Sequence, residues 1–363
     1  MSTILEASGA EALIERVVAS TIGLFDLAGI YLGQRLGLYA ALSVGQPASS
    51  GELAERTATD ERYVREWLEQ QAVTGLLAVD DVDAAATERR YALPAGYADA
   101  LVDADSPSYI APLARQALGM VSPLPQLVDA FRTGAGVPYP DYGDDTREGI
   151  AELNRAMFIN ELGTAWFPAI ADVHARLSAP AGARVADLGC GTGWSSIAIA
   201  RAYPRALVEG IDSDPDSIEG ARANAAADGL EDRVRFTVGD AGDPQLEGAY
   251  DVVTIFEALH DMAHPVEALA SARGLLAEGG TVIVADERVA ERFRAPGDDL
   301  ERLMYGFSVV HCLAVSREDS ESAATGTAMR PDTLRAYARD AGFGHVEVLA
   351  IPNDFWRFYR LDP

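Results

Sequence analysis

The segment Arg184–Gly193, reading RVADLGCGTG, constrains the fold of this chain more than any other. Arg184-Val185-Ala186-Asp187-Leu188 has the apolar character of a short strand. Gly189, Gly191 and Gly193 follow as a tight turn, and Trp194 to Tyr203 carries the small and apolar residues of a helix. Strand, glycine turn and helix in that order open a parallel α/β sheet, and they point backbone N–H groups and a helix N-terminus at a ligand. Glycines are needed there because a Cβ would block close approach. The alternation continues downstream. Ala206–Ile211, Val234–Val238, Tyr250–Phe256 and Gly280–Ala285 read as further strands, and His345–Ala350 with Phe355–Arg360 read as a last pair, reversed, at the sheet edge.

The turn alone leaves a dinucleotide possible, and its neighbours separate the cases. In the G-x-G-x-x-G register from Gly189 the sixth residue is Trp194, where close helix packing wants a small side chain. A second register, ending at Ser196, moves the turn into the helix. Asp187 is the stronger signal. A carboxylate at the strand end opposes a pyrophosphate but suits a ligand that carries an ammonium and a sulfonium. S-adenosylmethionine is such a ligand. Asp212 and Ser213 end the second strand, where an acid takes ribose hydroxyls. Asp240 and Ala241 follow the third, where an aspartate accepts from an adenine amino group, and Phe256 and Glu257 end the fourth.

These motifs, in order, resemble the class I S-adenosylmethionine-dependent methyltransferases over the entire second half of the chain. The resemblance implies a Rossmann-like α/β sheet of seven strands, mostly parallel with the last strand reversed, and S-adenosylhomocysteine as product. Glu257-Ala258-Leu259-His260-Asp261-Met262 resembles the His-Asp-Trp segment of plant and bacterial small-molecule O-methyltransferases, with Met262 in place of the tryptophan. By that likeness His260 is the general base and Asp286 the acid that orients it. A small-molecule acceptor is then expected between Met157, Phe158 and Trp166 on one side and Tyr305 and His311 on the other. For Met157, Phe158 and Trp166 core packing is the favoured reading. Cys312 is read as packing, and no compact His/Asp/Glu spacing points to a metal.

The first half is mostly helical. Ile30–Leu42 reads as one helix, Ser50–Ala54 starts another, and Asp60 caps a third, Glu61–Thr74, with Tyr63, Val64, Trp67 and Leu68 on its apolar face. Leu76–Val79 and Arg90–Leu93 read as a β wing, which completes a winged helix. That fold suggests DNA, but Asp60, Glu61, Glu66 and Glu69 outnumber Arg62 and Arg65 on the would-be recognition helix. The net charge of −27, with no lysine at all, also opposes binding to nucleic acid or anionic lipid. The unit resembles the dimerisation domain of the same O-methyltransferases, so a homodimer is expected, through Ile14–Leu24 and Tyr31–Leu42.

The Gly-, Pro- and Asp-rich run Thr133–Asp145 suggests a boundary, giving residues 1–145 as the winged-helix domain and 146–363 as the cofactor domain. Two cysteines, no basic leader and no membrane-length apolar run favour a cytoplasmic protein. Two alternatives keep the cofactor: a non-methylating hydroxylase or decarboxylase type of enzyme, and a winged-helix regulator that senses it.

Overall fold

The computed structural model describes residues 9–243, 249–317 and 320–363. Its contacts divide the chain into Met1–Leu118 with Glu148–Leu153, and Gly119–Arg147 with Asn154–Pro363. The run Thr133–Asp145 therefore groups with the second unit, and the helix Gly143–Met157 contributes residues to both.

In the first unit, α1 (Gly9–Arg35), α2 (Leu38–Ser43), α3 (Ser50–Thr57) and α4 (Glu61–Val73) precede a small hairpin of β1 (Ala78–Val79) and β2 (Tyr91–Ala92). The stretch expected as one helix over Ile30–Leu42 breaks at Gly37, whose φ of +66° stops α1 and restarts the chain as α2. Leu38, Tyr39 and Leu42 are consequently buried, so this part of the expected dimer surface lies inside the unit. Ser49, with Glu52 in a reciprocal capping box, starts α3, and Asp60 Oδ1 accepts from the N–H groups of Arg62 and Tyr63 at 3.0 and 3.3 Å to start α4. The buried stripe of α4 is Val64, Trp67, Leu68 and Gln71. Tyr63 falls one step outside that helical stripe and is 82% exposed, which corrects its expected place on the apolar face. Trp67 donates from Nε1 to the carbonyl of Gly29 at 2.8 Å, fixing α4 on α1.

The second unit is built on one sheet: β3 (Arg184–Leu188), β4 (Leu207–Asp212), β5 (Val234–Val238), β6 (Tyr250–Phe256), β7 (Leu276–Glu287), β8 (His345–Val348) and β9 (Trp356–Asp362). The spatial order is β5-β4-β3-β6-β7-β9-β8. Pairing is parallel from β5 to β7, and β9 is antiparallel to both its neighbours. The last two strands thus form the pair at the sheet edge, with the final strand reversed, as the sequence suggested; within that pair β9 lies inside, between β7 and β8, and β8 is outermost. Burial on both faces follows from alternation along each strand. In β7, Ile283 and Ala285 join a core with Trp166, Ile197 and Phe358, while Val282 and Val284 join a second core with Leu269 and Leu334. Strand order reverses between β3 and β6, so the crevice at their carboxyl ends is where a sheet of this kind receives a ligand.

Candidate active site

The turn after β3 has the backbone that its glycines predict: φ is +72° at Gly189, +52° at Gly191 and +82° at Gly193. A Cβ on Gly193 would stand 2.4 Å from the Phe236 ring, whereas one on Gly191 would meet nothing within 4 Å. Gly193 is therefore a packing requirement and Gly191 faces open space. Gly189 and Cys190 both donate their N–H groups to the Ile211 carbonyl, at 2.8 and 3.0 Å, which pins the turn to β4.

Asp187 is 1% exposed. Its Oδ2 accepts from Ser195 and Ser196, each at 2.6 Å, and its Oδ1 from Thr254 at 2.7 Å. Burial raises its pKa and the three hydroxyls work against that rise. The residue ties β3, β6 and the helix Trp194–Ala202 together. Sequence reasoning gave its charge to a ligand; the geometry gives both its oxygens to the protein's own hydroxyls. Ser195, Ser196 and Thr254 were missed, although two serines directly behind a glycine turn are a readable signal for a buried acceptor.

Asp212, at the end of β4, accepts from the Gly191 N–H at 2.8 Å and the Asp214 N–H at 2.9 Å. Each of its oxygens thus keeps a lone pair for a further donor. Asp214 in turn caps the helix Pro215–Ala227 and holds Arg147 Nε at 2.8 Å. Ser213 and Asp240 are exposed and Ala241 is half-buried; Asp240 Oδ1 accepts from the Gly242 N–H at 2.6 Å. Phe256 is buried beside Phe158 and Trp166, with ring centroids 5.8 and 6.4 Å away.

At the carboxyl ends of β6 and β7 the structure brings together His260, Asp261, Asp286, Glu257 and Glu287. His260 Nδ1 lies 2.8 Å from Asp286 Oδ1, and both side chains are almost fully buried. With Asp286 as acceptor, the proton sits on Nδ1 and Nε2 is left to exchange one; Nε2 is 3.3 Å from Asp261 Oδ1. Burial disfavours the charged imidazole, but Asp261 and Asp286 outweigh it and hold the pKa well above the ordinary value. Glu257 has a φ of +51°, an unusual backbone for a residue with a side chain, and accepts from Asn154 Nδ2. Glu257 also bonds to Glu287; burial pushes Glu257 up to about 7 and Glu287 well above the carboxylate range.

The expected acceptor-binding residues divide. Phe158 and Trp166 lie in a π-helical segment, Phe158–Trp166, and their rings pack among Phe256, Trp356 and Phe358. Met157 is partly buried against the same core. The Tyr305 hydroxyl oxygen accepts from Arg330 Nη2 at 3.2 Å, and the same guanidinium is ion-paired with Glu301. His311 is fully buried in a second π-helical turn, Ser308–Cys312, edge-on to Tyr142 at 4.6 Å. That wider turn brings consecutive residues inside, so Cys312 is buried next to His311, with its Sγ 3.5 Å from Nδ1. Burial raises the Cys312 thiol to about 12 and lowers the His311 pKa. His260, Asp261 and Cys312 bring one ligand atom each within 4.8 Å of one another. Glu287, Asp261 and Asn154 were not singled out from sequence; Glu287 was legible only as the neighbour of Asp286.

Residues 180–325 match a family model described as a methyltransferase domain, and residues 27–102 one described as an Rv2258c-like winged HTH domain. Over 175 residues the chain is 29% identical to methyltransferase GfsG of Streptomyces halstedii, covering 44% of this chain and 60% of the relative. Over 286 residues it is 29% identical to acetylserotonin O-methyltransferase of Mus musculus molossinus, covering 71% and 68%. The chain spans three-fifths or less of the length of the first curated relatives it matches. The mitomycin 7-O-methyltransferase structure superposes with a TM-score of 0.69 at 20% identity, covering 98% of this chain and 100% of the other. Human N-acetylserotonin methyltransferase in complex with S-adenosylmethionine superposes with a TM-score of 0.70 at 16% identity, covering 98% and 99%. Likenesses at that identity establish the fold: a methyltransferase sheet preceded by a winged helix.

Proposed function

We propose that this chain, a methyltransferase domain joined to a winged-helix domain, transfers the methyl group of S-adenosylmethionine to an oxygen of a small molecule. One observation carries the reading: a buried His260–Asp286 pair stands at the end of the strands beside the Gly189–Gly193 turn. The turn fits the cofactor because Gly191 opens on free space and Asp212 retains lone pairs for ribose hydroxyls. Asp187 acts at one remove, by holding the turn. The bound sulfonium supplies an activated methyl and a good leaving group. The protein's share is to orient the acceptor hydroxyl and take its proton, for which His260 Nε2 is suited. Asp286 fixes the tautomer and stabilises the imidazolium, and Ser213, Asp240, Ala241 and Phe256 flank the cofactor.

Titration calorimetry with S-adenosylmethionine, followed by measurement of S-adenosylhomocysteine formed with phenolic acceptors, tests this. His260→Ala should keep cofactor affinity and lose O-methylation. Because Asp261 and Asp286 hold His260 protonated, the rate should climb as pH rises above neutrality. Unchanged turnover in His260→Ala removes the histidine from the mechanism.

We also infer a homodimer formed through α1. Leu13, Ile14, Val17, Val18, Ile22 and Phe25 are each more than half exposed, more contiguous apolar surface than a lone helix presents to water. Val17→Asp should convert a dimer to a monomer in analytical ultracentrifugation. The acidic surface argues against nucleic acid as acceptor. Among the described residues no helix is long and apolar enough to cross a membrane, and two free buried cysteines support a cytoplasmic placement.

A further inference from the structure

Three buried carboxylates end β6 and β7, and the one basic group that faces them, His260, is paired with Asp286. Glu257 and Glu287 share a hydrogen bond, and Asp286 adjoins them. Neither Glu257 nor Glu287 has an arginine partner among the described residues, and the sequence holds no lysine. The facing groups are His260 and Asp261 from the turn after β6, Asp286 from β7, and the neutral Asn154 from the helix Gly143–Met157. His260 offers at most one positive charge, and its Nδ1 is already committed to Asp286.

Besides Asp261 Oδ1, which lies 3.3 Å from His260 Nε2, two oxygens there have no hydrogen-bond partner: Glu287 Oε2, on a side chain about 95% buried, and Asp286 Oδ2, on one about 99% buried. Both are acceptors when ionised, so what completes them is a donor. Buried unpaired acceptors are costly, and a native site keeps them where a ligand satisfies them. The backbone agrees, since Glu257 is held at φ +51°, a conformation that persists where the surroundings enforce it and that clusters at functional sites.

From this geometry we infer that the acceptor carries a basic amine, whose ammonium is received by Glu287 and Glu257 while its hydroxyl meets His260. The inference rests on the methyltransferase reading for the role of His260, but the amine seat is testable without turnover. An ammonium brings two or three N–H donors and the missing positive charge. A carboxylate in the same place would add a further anion to a cluster that is already negative. The class of substrate is therefore an amino-phenol or amino-alcohol, and acidic phenols are excluded.

Three phenols that differ in one group decide it: tyramine, 4-ethylphenol and 4-hydroxyphenylacetate. Each is titrated by calorimetry into the full chain, with and without S-adenosylhomocysteine. Tyramine should bind at least tenfold more tightly than 4-ethylphenol, and 4-hydroxyphenylacetate not at all. The tyramine preference should grow between pH 6 and 8, as Glu257 gives up its proton and the pair is left sharing one. Glu287→Gln should cut the preference to twofold or less, with thermal unfolding as the folding control and the wild-type pH dependence as a readout that needs no variant.

Equal binding of tyramine and 4-ethylphenol, stronger binding of the acid, or no binding of any of the three overturns the proposal. So does sub-micromolar binding of Zn²⁺ that excludes tyramine and is lost in Cys312→Ser, which would make the cluster a metal site. Failure of S-adenosylhomocysteine to bind would instead sink the methyltransferase reading, while the tyramine comparison without it still decides the amine seat.

Discussion

Replacing Gly193 and Gly191 by alanine, one at a time, separates packing from ligand approach within one turn. At Gly193 the new Cβ would lie 2.4 and 2.7 Å from two atoms of the Phe236 ring and 3.0 Å from the Ala221 Cβ. The ring and the helix behind it must move, an overpacking cost of about 1–3 kcal/mol. A φ of +82° adds about 1–2 kcal/mol for an L-residue, so the sum is about 2–5 kcal/mol. Gly191, at φ +52°, carries only the second cost, because nothing stands within 4 Å of its Cβ. Its methyl would instead occupy the space into which S-adenosylmethionine is proposed to come. Urea unfolding should give Gly193→Ala the larger loss of stability. Calorimetry should give Gly191→Ala the larger loss of affinity per unit of stability lost, tenfold or more in Kd, which is about 1.4 kcal/mol. A Gly191→Ala protein that binds the cofactor as the wild type does would refute the placement of the ligand. A Gly193→Ala protein of wild-type stability would refute the packing argument.

Thr254→Val should lower stability by about 1.5–3 kcal/mol, because the buried Asp187 loses one of its three hydroxyl donors; the urea midpoint should fall with the slope unchanged. Glu257 and Glu287 hold protons in the folded protein that the unfolded chain has released above 4.5, so stability should decline as pH rises through about 7, and Glu287→Gln should flatten that decline and stabilise the protein at pH 8. Thermal unfolding at pH 5 and pH 8 checks the sign. Asp60→Ala, which removes the cap of α4, should cost about 1 kcal/mol in urea unfolding, with no change in cofactor affinity.

The sheet was legible because its central strands are mostly apolar runs separated by turn residues, and hydropathy reports that directly. The reversal of β9 was legible too, but its place between β7 and β8 was not, since spatial order depends on pairing partners far apart in sequence. Gly37 shows a limit of another kind. The apolar spacing on either side suits one helix, and only the left-handed backbone at a single glycine turns Leu38 and Tyr39 inward. In the site, His260 and Asp286 could be paired by resemblance. The Glu257–Glu287 contact could not, because nothing local announces that two acids will share a proton across neighbouring strands. Asp187 could be read as an acceptor from its place beside the glycine turn, but the three hydroxyls that hold it could not, since one of them, Thr254, comes from a strand far away in sequence.

The insertion of β9 bears on how this chain is made. During synthesis β3 to β7 emerge in sequence and can pair as a parallel sheet, but β7 then ends that sheet with an open edge until residues 356–362 leave the ribosome. Through all the time needed to translate the intervening stretch, roughly 70 residues, an apolar strand edge is offered to any other nascent chain. Residues 356–362 are thus a molecular seal as well as a strand: their arrival closes the β7 edge to the wrong partner.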